Sequence, residues 1–172
     1  MTDVYLSLGS NLEPEKNIRL ALLQLSREIG PLELSTVYIT SPVKDLKQPD
    51  FYNCVARCNT SFSPHKLKFS LLRDIESSLG RKRAGDRFAA RTIDIDLIIY
   101  GKQCIEARGL YIPDPDIRQR PFLALCLLEL NSDLAVPCAK LRIAEVAATM
   151  SRDGMQPLHN YTRELRRELR HL

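Results

Sequence analysis

The chain has 172 residues, 44% hydrophobic and 27% charged, with a formal net charge of +4. This length predicts a single domain, residues 1–172, and the composition excludes a chain too polar to build a core. The modest positive charge argues against a broad nucleic-acid surface and favours a local basic site for an anionic ligand. No apolar run reaches the ~20 residues that a membrane-spanning helix needs.

The cysteines and the N-terminus suggest a compartment. The five cysteines are scattered, no C-x-x-C occurs, and there are three histidines. We therefore expect no disulfide framework and no zinc site. A reducing cytosol fits these cysteines best, and the first residues show no signal peptide, so we predict a cytoplasmic protein. For the oligomeric state we expect a monomer.

The first half of the chain alternates strands and helices. Val4, Leu6 and Leu8 predict a strand, and Pro14 begins a helix that Gly30-Pro31 ends. Strands are predicted over 32–40 and 51–62, and Cys54 and Cys58 share the core face of the second of these. A second helix follows Ser63 and ends near Gly80, with an i, i+4 stripe of Leu67, Leu71, Ile75 and Leu79.

One further strand organises the rest. It follows Arg91, with Ile93, Ile95, Leu97 and Ile99 on one face and Asp94, Asp96, Ile98 and Tyr100 on the other. The order β-α-β-β-α-β is typical of the ferredoxin-like, split βαβ arrangement within the α+β class. It predicts a four-stranded antiparallel sheet with helices on one face, the other face being open for a ligand. Helices over 121–130 and 141–150 and a basic amphipathic tail from about residue 157 follow as additions.

Asp94 and Asp96 are the candidate metal ligands. Two residues of strand rise place their Cα atoms about 6.5–7 Å apart on one face. Such carboxylates can converge on two Mg²⁺ ions, which prefer oxygen ligands. The alternative is a solvated, charged edge strand.

A basic segment upstream favours the metal site. Arg81, Lys82, Arg83, Arg87 and Arg91 surround Gly85. Guanidinium groups opposite metal-bound carboxylates suit a polyphosphate, which indicates phosphoryl-group chemistry on a nucleotide.

With these motifs in hand, the chain resembles the 6-hydroxymethyl-7,8-dihydropterin pyrophosphokinase family over about residues 3–150. The most specific stretch is R-F-A-A-R-T-I-D-I-D-L-I at 87–98. Supporting motifs are G-S-N-L at 9–12, Y-I-T-S-P at 38–42, Q-P-D-F-Y-N at 48–53, I-P at 112–113 and R-P-F at 120–122.

The resemblance implies a reaction and a set of roles. The substrate hydroxymethyl oxygen attacks the β-phosphorus of ATP and AMP leaves, a step of folate biosynthesis. Asp94 and Asp96 would bind two Mg²⁺ ions, and Arg81 and Arg91 would stabilise the developing charge. The pterin would be bound by Thr40, Ser41, Pro42, Val43, Phe51, Asn53 and Phe122, with the two phenylalanine rings on its faces. ATP would be bound by Glu76, Arg83, Arg87, Leu97, Asp114 and Arg120.

Two positions depart from the family pattern. Asp114 stands where the family usually has histidine, which can donate to a phosphate, whereas an ionised aspartate repels it. We therefore expect weaker nucleotide binding, with Arg118 or Arg120 compensating. Phe88 stands where a tryptophan is common, and a packing role survives that change.

Two other functions stay open. An RNA-binding module shares the β-α-β-β-α-β order, but Asp94 and Asp96 would repel a phosphate backbone unless metals intervened. A relative that kept the sheet and lost catalysis is the other. Each candidate residue also has an ordinary structural reading, with Phe51 and Phe122 as core aromatics and Glu76 as a solvated charge.

Overall fold

The protein is described by a computed structural model, which covers residues 1–42, 48–82 and 89–172. Its helices are α1 (Pro14–Ile29), α2 (Pro64–Lys66), α3 (Arg73–Ser78), α4 (Pro121–Leu130), α5 (Ile143–Ala148) and α6 (His159–Leu169). A π-helical turn, Leu67–Leu72, joins α2 to α3, and a 3₁₀ turn, Pro115–Arg118, precedes α4. The strands are β1 (Thr2–Ser10), β2 (Glu33–Leu34), β3 (Tyr38–Thr40), β4 (Phe51–Thr60), β5 (Asp94–Tyr100), β6 (Ile105–Ala107), β7 (Leu110–Ile112), β8 (Ala135–Val136), β9 (Leu141–Arg142) and β10 (Met155–Pro157).

The main sheet is antiparallel, and β4 lies at its centre. The order is β10-β3-β4-β1-β5, with β2 also paired to β4. The protein is therefore α+β, as predicted. The predicted second strand is broken into β2 and β3, and the tail adds β10 beside β3, so the sheet has six strands instead of four.

One core lies between this sheet and the first helices. Leu6 and Leu8 of β1 pack there with Ile18 and Leu22 of α1. Cys54 and Cys58 are buried in the same core, which confirms their predicted role. Helix α6 covers this side too, because Leu165 and Leu169 are buried against it.

The sequence predicted that the second face of the sheet is open, but part of this face is covered. Helices α4 and α5 cover it and form a second core with Tyr5, Val55 and Ile99 of the sheet. The reason lies in α4, which is apolar on all sides and is buried from Phe122 to Leu127. A helix of that kind needs apolar surface on every side, and the free face of the sheet supplies it.

A bulge changes the faces of β5. Tyr5 pairs with Ile99 and Leu6 with Leu97, which leaves Ile98 as the extra residue. Ile98 and Ile99 therefore both lie in the second core, and Tyr100 lies in the first. The strict alternation predicted for this strand is confirmed as far as Ile98 and is wrong from Ile99 onward.

The π-helical turn changes the predicted stripe on the second helix. Leu67 and Leu72, five residues apart, are buried, whereas Leu71 is only partly buried. A π turn repeats every five residues at its hydrogen bonds, so the i, i+4 pattern shifts by one residue here.

The cysteines also differ from prediction, because Cys104 and Cys138 form a disulfide. Their Cα atoms are 6.4 Å apart, within the range that a disulfide spans. Since 34 residues separate the two, only the fold brings them together. Within the described ranges, no helix combines the length and the apolar character needed to cross a membrane.

Candidate active site

Strand β5 places two carboxylates at one end of the sheet. Asp94 pairs with Gly9 and Asp96 with Ser7 across the strand boundary, so both carboxylates lie on one face. They border a cavity of about 180 Å³. Its lining is mostly charged and consists of Lys68, Arg73, Glu76, Arg81, Asp94, Ile95 and Asp96.

Arg81 ties α3 to the edge strand. Its guanidinium group forms ion pairs with both Glu76 and Asp94. Glu76 is 2% exposed, and its Oε1 also accepts a hydrogen bond of 2.9 Å from the backbone N–H of Ile95. The sequence alone suggested that Glu76 is a solvated charge. It is instead buried, and it accepts a hydrogen bond from the unpaired edge of β5.

Arg91 approaches Asp94 from the other side. Its guanidinium group pairs with the second oxygen of Asp94 and lies 5.8 Å from the centroid of the Phe51 ring. The backbone N–H of Arg91 donates 2.8 Å to Oδ1 of Asn11. Asp94 thus has an arginine on each oxygen.

The two carboxylates differ in their pKa. Burial raises the pKa of Asp94, but the Arg81 and Arg91 guanidinium groups outweigh it, and the pKa lies below its usual value. Burial raises the pKa of Asp96, and the Asp94 carboxylate raises it further. Lys68 and Arg81 lower it by less, so the pKa lies above its usual value. Two carboxylates on one face of a strand repel each other, and a cation between them would relieve this repulsion.

The residues fit a divalent cation. Asp96 keeps 47% of its side chain exposed, with Nζ of Lys68 at 3.5 Å, and Asp94 lies beside it. Carboxylate oxygens are the ligands that Mg²⁺ prefers. Among the described residues, no three or more His, Cys, Asp or Glu side chains form a ready-made metal cage.

The residues predicted for the pterin lie near β3 and β4. Phe51 pairs with Thr40, and the side-chain amide of Asn53 donates 2.8 Å to Oγ1 of Thr40. The structure thus brings Phe51, Asn53 and Thr40 together beside Arg91. Phe122, in the first turn of α4, is 7% exposed and belongs to the second core.

The other predicted residues are placed as follows. The side chain of Leu97 is fully buried in the first core, so it reaches a nucleotide only through its backbone. Asp114 accepts 2.8 Å from the N–H of Asp116, and burial raises its pKa. Arg120 pairs with Asp116 at 2.8 Å, where both side chains are exposed. Ser41 and Pro42 are described, whereas the predictions for Val43, Arg83, Arg87 and Phe88 lie outside the described residues.

A second cavity, of about 390 Å³, adjoins the first and shares Arg73 with it. Its walls include Phe69, whose ring lies 4.6 Å from the Arg73 guanidinium carbon, and Leu110. One cavity is thus ionic and its neighbour is largely apolar.

Sequence reasoning gave no role to Asn11 or Lys68. Asn11 is 2% exposed, and its amide donates to Oε1 of Gln48 at 3.2 Å and to the carbonyl of Pro49 at 3.3 Å. Its position in the G-S-N-L motif was the available signal. Lys68 gave none, because a single lysine on a helix is usually solvated.

Comparison with solved structures defines the fold. The chain superposes on Plasmodium falciparum HPPK-DHPS crystallised with pteroate, with a TM-score of 0.73 and 12% identity over 91% of this chain and 47% of that one. The same protein with pterin and p-hydroxybenzoate gives a TM-score of 0.68 at 14% identity over 86% of this chain and 41% of that one. The chain thus has the fold of this class of protein.

Comparison of sequences gives the family. The model of the 7,8-dihydro-6-hydroxymethylpterin-pyrophosphokinase family matches residues 5–132. A 2-amino-4-hydroxy-6-hydroxymethyldihydropteridine pyrophosphokinase of Haemophilus influenzae is 36% identical over 82% of this chain and 89% of its own length. The enzyme of that name from Pseudomonas aeruginosa is 34% identical over 90% and 96%. The chain belongs to this pyrophosphokinase family.

The relatives differ in length. The folic acid synthesis protein fol1 of Pneumocystis carinii is 39% identical over 82% of this chain, which spans only 19% of that protein.

Proposed function

We propose that this chain carries out its family's reaction. It transfers pyrophosphate from ATP to 6-hydroxymethyl-7,8-dihydropterin and releases AMP, in folate biosynthesis. The observation that supports this most is one cavity lined by Asp94, Asp96 and Arg81 in a chain that belongs to the family. Arg91 is paired with Asp94 there.

The two adjoining cavities suit the two ends of ATP. The ionic cavity has cations and carboxylates, which suit a triphosphate bound with metal ions. The neighbouring cavity has the Phe69 ring and Leu110, which suit a flat base. Arg73 borders both and would lie near their junction.

The metal requirement is part of the proposal. Asp94 and Asp96 would hold two Mg²⁺ ions. When bound, these ions supply positive charge to the phosphate oxygens. Arg81 and Arg91, both already at Asp94, would shift toward the phosphates and stabilise the charge that develops in transfer.

The pterin would lie between the rings of Phe51 and Phe122, with Asn53, Thr40 and the backbone of 40–43 at its polar edge. Phe51 lies beside Arg91, so a pterin stacked on it would be close to the phosphate side. Asn53 is 6% exposed, so its amide would contact the ligand through a narrow opening, which favours recognition by shape.

The sheet order supports a ferredoxin-like core with additions at its C-terminal side, folded as one domain. A monomer remains our proposal, as does a cytoplasmic location. In a reducing cytoplasm the Cys104 and Cys138 thiols, which the structure joins as a disulfide, would be held largely reduced.

The test measures product formation with and without a divalent metal ion. The protein, ATP and the pterin are incubated with Mg²⁺ or with EDTA, and the nucleotides are separated. We expect AMP only with Mg²⁺ and only with pterin. AMP formed equally in EDTA would overturn the metal proposal, and no pterin-dependent nucleotide at all would overturn the reaction.

A further inference from the structure

The π-helical turn carries a lysine into the ionic cavity. Lys68 lines this cavity, its side chain is only 21% exposed, and its Nζ lies 3.5 Å from Oδ1 of Asp96. Lys66, two residues earlier, is exposed, with its Nζ 5.0 Å from the centroid of the Phe62 ring. The two lysines thus have different surroundings, and Lys68 alone faces the carboxylates.

The position of Lys68 follows from the helix. The π turn packs against β5, and Leu67 and Leu72 anchor it in the first core. π turns inside α-helices occur frequently at functional sites, because they redirect side chains. The redirected residue here is a cation at the carboxylate strand.

The two carboxylates have unequal partners. Asp94 is paired with two arginines, whereas the ion pair of Asp96 within the described part of the chain is the one with Lys68. At 3.5 Å and with 47% of the Asp96 side chain exposed, this is a loose pair. Lysine is a point charge on a flexible stem, so it can leave this position at little cost.

An ionised Asp114 has no hydrogen to donate to a phosphate. It stands where the family usually has histidine, and its carboxylate already accepts from the N–H of Asp116. Burial and the Asp96 carboxylate raise the pKa of Asp114, whereas the positive charge of Lys68 lowers it. Lys68 therefore acts electrostatically on both aspartates. Lys68 therefore supplies a cation to a part of the site that holds two carboxylates.

We propose that Lys68 has two successive partners: it neutralises Asp96 in the free protein and contacts a triphosphate oxygen once a metal ion occupies Asp96. This inference rests on the proposed function and adds a nucleotide-binding residue to it. It requires two opposite effects from one side chain. Lys68 must weaken the binding of a metal ion in the absence of nucleotide, and it must strengthen the binding of the nucleotide.

The test uses Lys68→Gln, with Lys66→Gln as the matched control and Lys68→Arg as the conservative variant. Mn²⁺ alone is titrated by electron paramagnetic resonance, and α,β-methylene-ATP with Mg²⁺ by calorimetry. In Lys68→Gln we expect Mn²⁺ to bind about three-fold tighter, because a surface-type ion pair no longer competes. We expect the nucleotide analogue to bind about ten-fold weaker, because a charge-assisted hydrogen bond is lost.

The opposite signs separate this role from a structural one. Lys66→Gln should change neither affinity, and Lys68→Arg should stay near wild type in both. Unchanged affinities in Lys68→Gln, or both weakened together, would overturn the role of Lys68. A wild-type protein that binds Mn²⁺ but not the analogue would overturn the proposed function, and with it the phosphate contact.

Discussion

Asp94 and Asp96 stand two residues apart on one strand and have opposite electrostatic surroundings. Arg81 and Arg91 hold the pKa of Asp94 below its usual value, while burial and Asp94 raise that of Asp96. A carboxyl with a lowered pKa stabilises the fold above its unfolded pKa. One with a raised pKa destabilises the fold once it is ionised.

Amide substitutions at these positions should therefore separate stability from activity. Asp94→Asn should lower the free energy of unfolding at pH 7 by about 1–3 kcal/mol, because Arg81 and Arg91 both lose the carboxylate charge that they share. Asp96→Asn should leave it unchanged or raise it. Both should abolish AMP formation. Urea unfolding and product analysis measure the two effects, and equal destabilisation by both variants would contradict this description.

The buried thiols predict a loss of stability in alkali. Burial raises the pKa of Cys54 and of Cys58 to about 12 in the fold. In the unfolded chain a thiol ionises near pH 8.5. Stability is therefore fully present below about pH 8.5 and falls above it, by up to about 1.4 kcal/mol per pH unit for each thiol. Urea midpoints from pH 8 to 10.5 measure this, and Cys54→Ala should show a shallower fall. A flat wild-type profile would contradict it.

Sequence patterns predicted which side chains share one face of a strand. They did not predict which side chains from distant parts of the chain come into contact. The alternation of β5 placed Asp94 and Asp96 on one face. Glu76 looked solvated, because nothing nearby in the chain shows that it receives the N–H of Ile95.

At the scale of elements, three segments meet at one buried amide. Asn11 follows β1, and its side chain binds the backbone of Arg91 and, through Gln48 and Pro49, the segment before β4. Arg91 belongs to the proposed nucleotide side and the start of β4 to the pterin side. The two sites therefore share one connection.

Asn11→Ala should reduce the coupling between the two ligands. In the wild type we expect α,β-methylene-ATP to tighten pterin binding about five-fold or more, and in Asn11→Ala we expect a factor near one. Calorimetry of pterin with and without the analogue measures this. The control is Asn59→Ala, an exposed amide on β4. Full coupling in a folded Asn11→Ala protein would contradict the link.

Element order was predictable and local irregularity was not. The alternation of strands and helices is visible in the sequence up to β5, because apolar periodicity and turn residues mark each element. The bulge at Ile98 and the π turn at Leu67–Leu72 each add one residue to a regular pattern. Both arise from packing against neighbouring elements, which a local pattern does not contain.

At the scale of the molecule, the C-terminal part closes the fold. Helices α4 and α5 cover the second face of the sheet, and β10 and α6 extend and cover the edge at β3. Sequence predicted the helices but left that face open, because an apolar helix does not show which surface it covers. Cys104 and Cys138 join this part to the segment after β5.

Reduction of that disulfide should lower stability without changing the chemistry. Closing a loop of 34 residues restricts the unfolded chain, by about 3–4 kcal/mol in the loop-entropy treatment. Both cysteines are exposed, and β5 ends at Tyr100, at the opposite end of the strand from Asp94. Reductant should therefore lower the unfolding midpoint and leave AMP formation unchanged. A Cys104→Ser/Cys138→Ser protein should not respond to reductant, and a wild type equally unresponsive would contradict the bond.

The most direct test of the central claim is the identity of the nucleotide product. The protein is incubated with ATP, Mg²⁺ and 6-hydroxymethyl-7,8-dihydropterin, and the nucleotides are separated over time. Transfer of pyrophosphate predicts AMP in step with loss of pterin, and no AMP from Asp94→Ala. ADP in step with loss of pterin would contradict the claim and would show transfer of the terminal phosphoryl group instead.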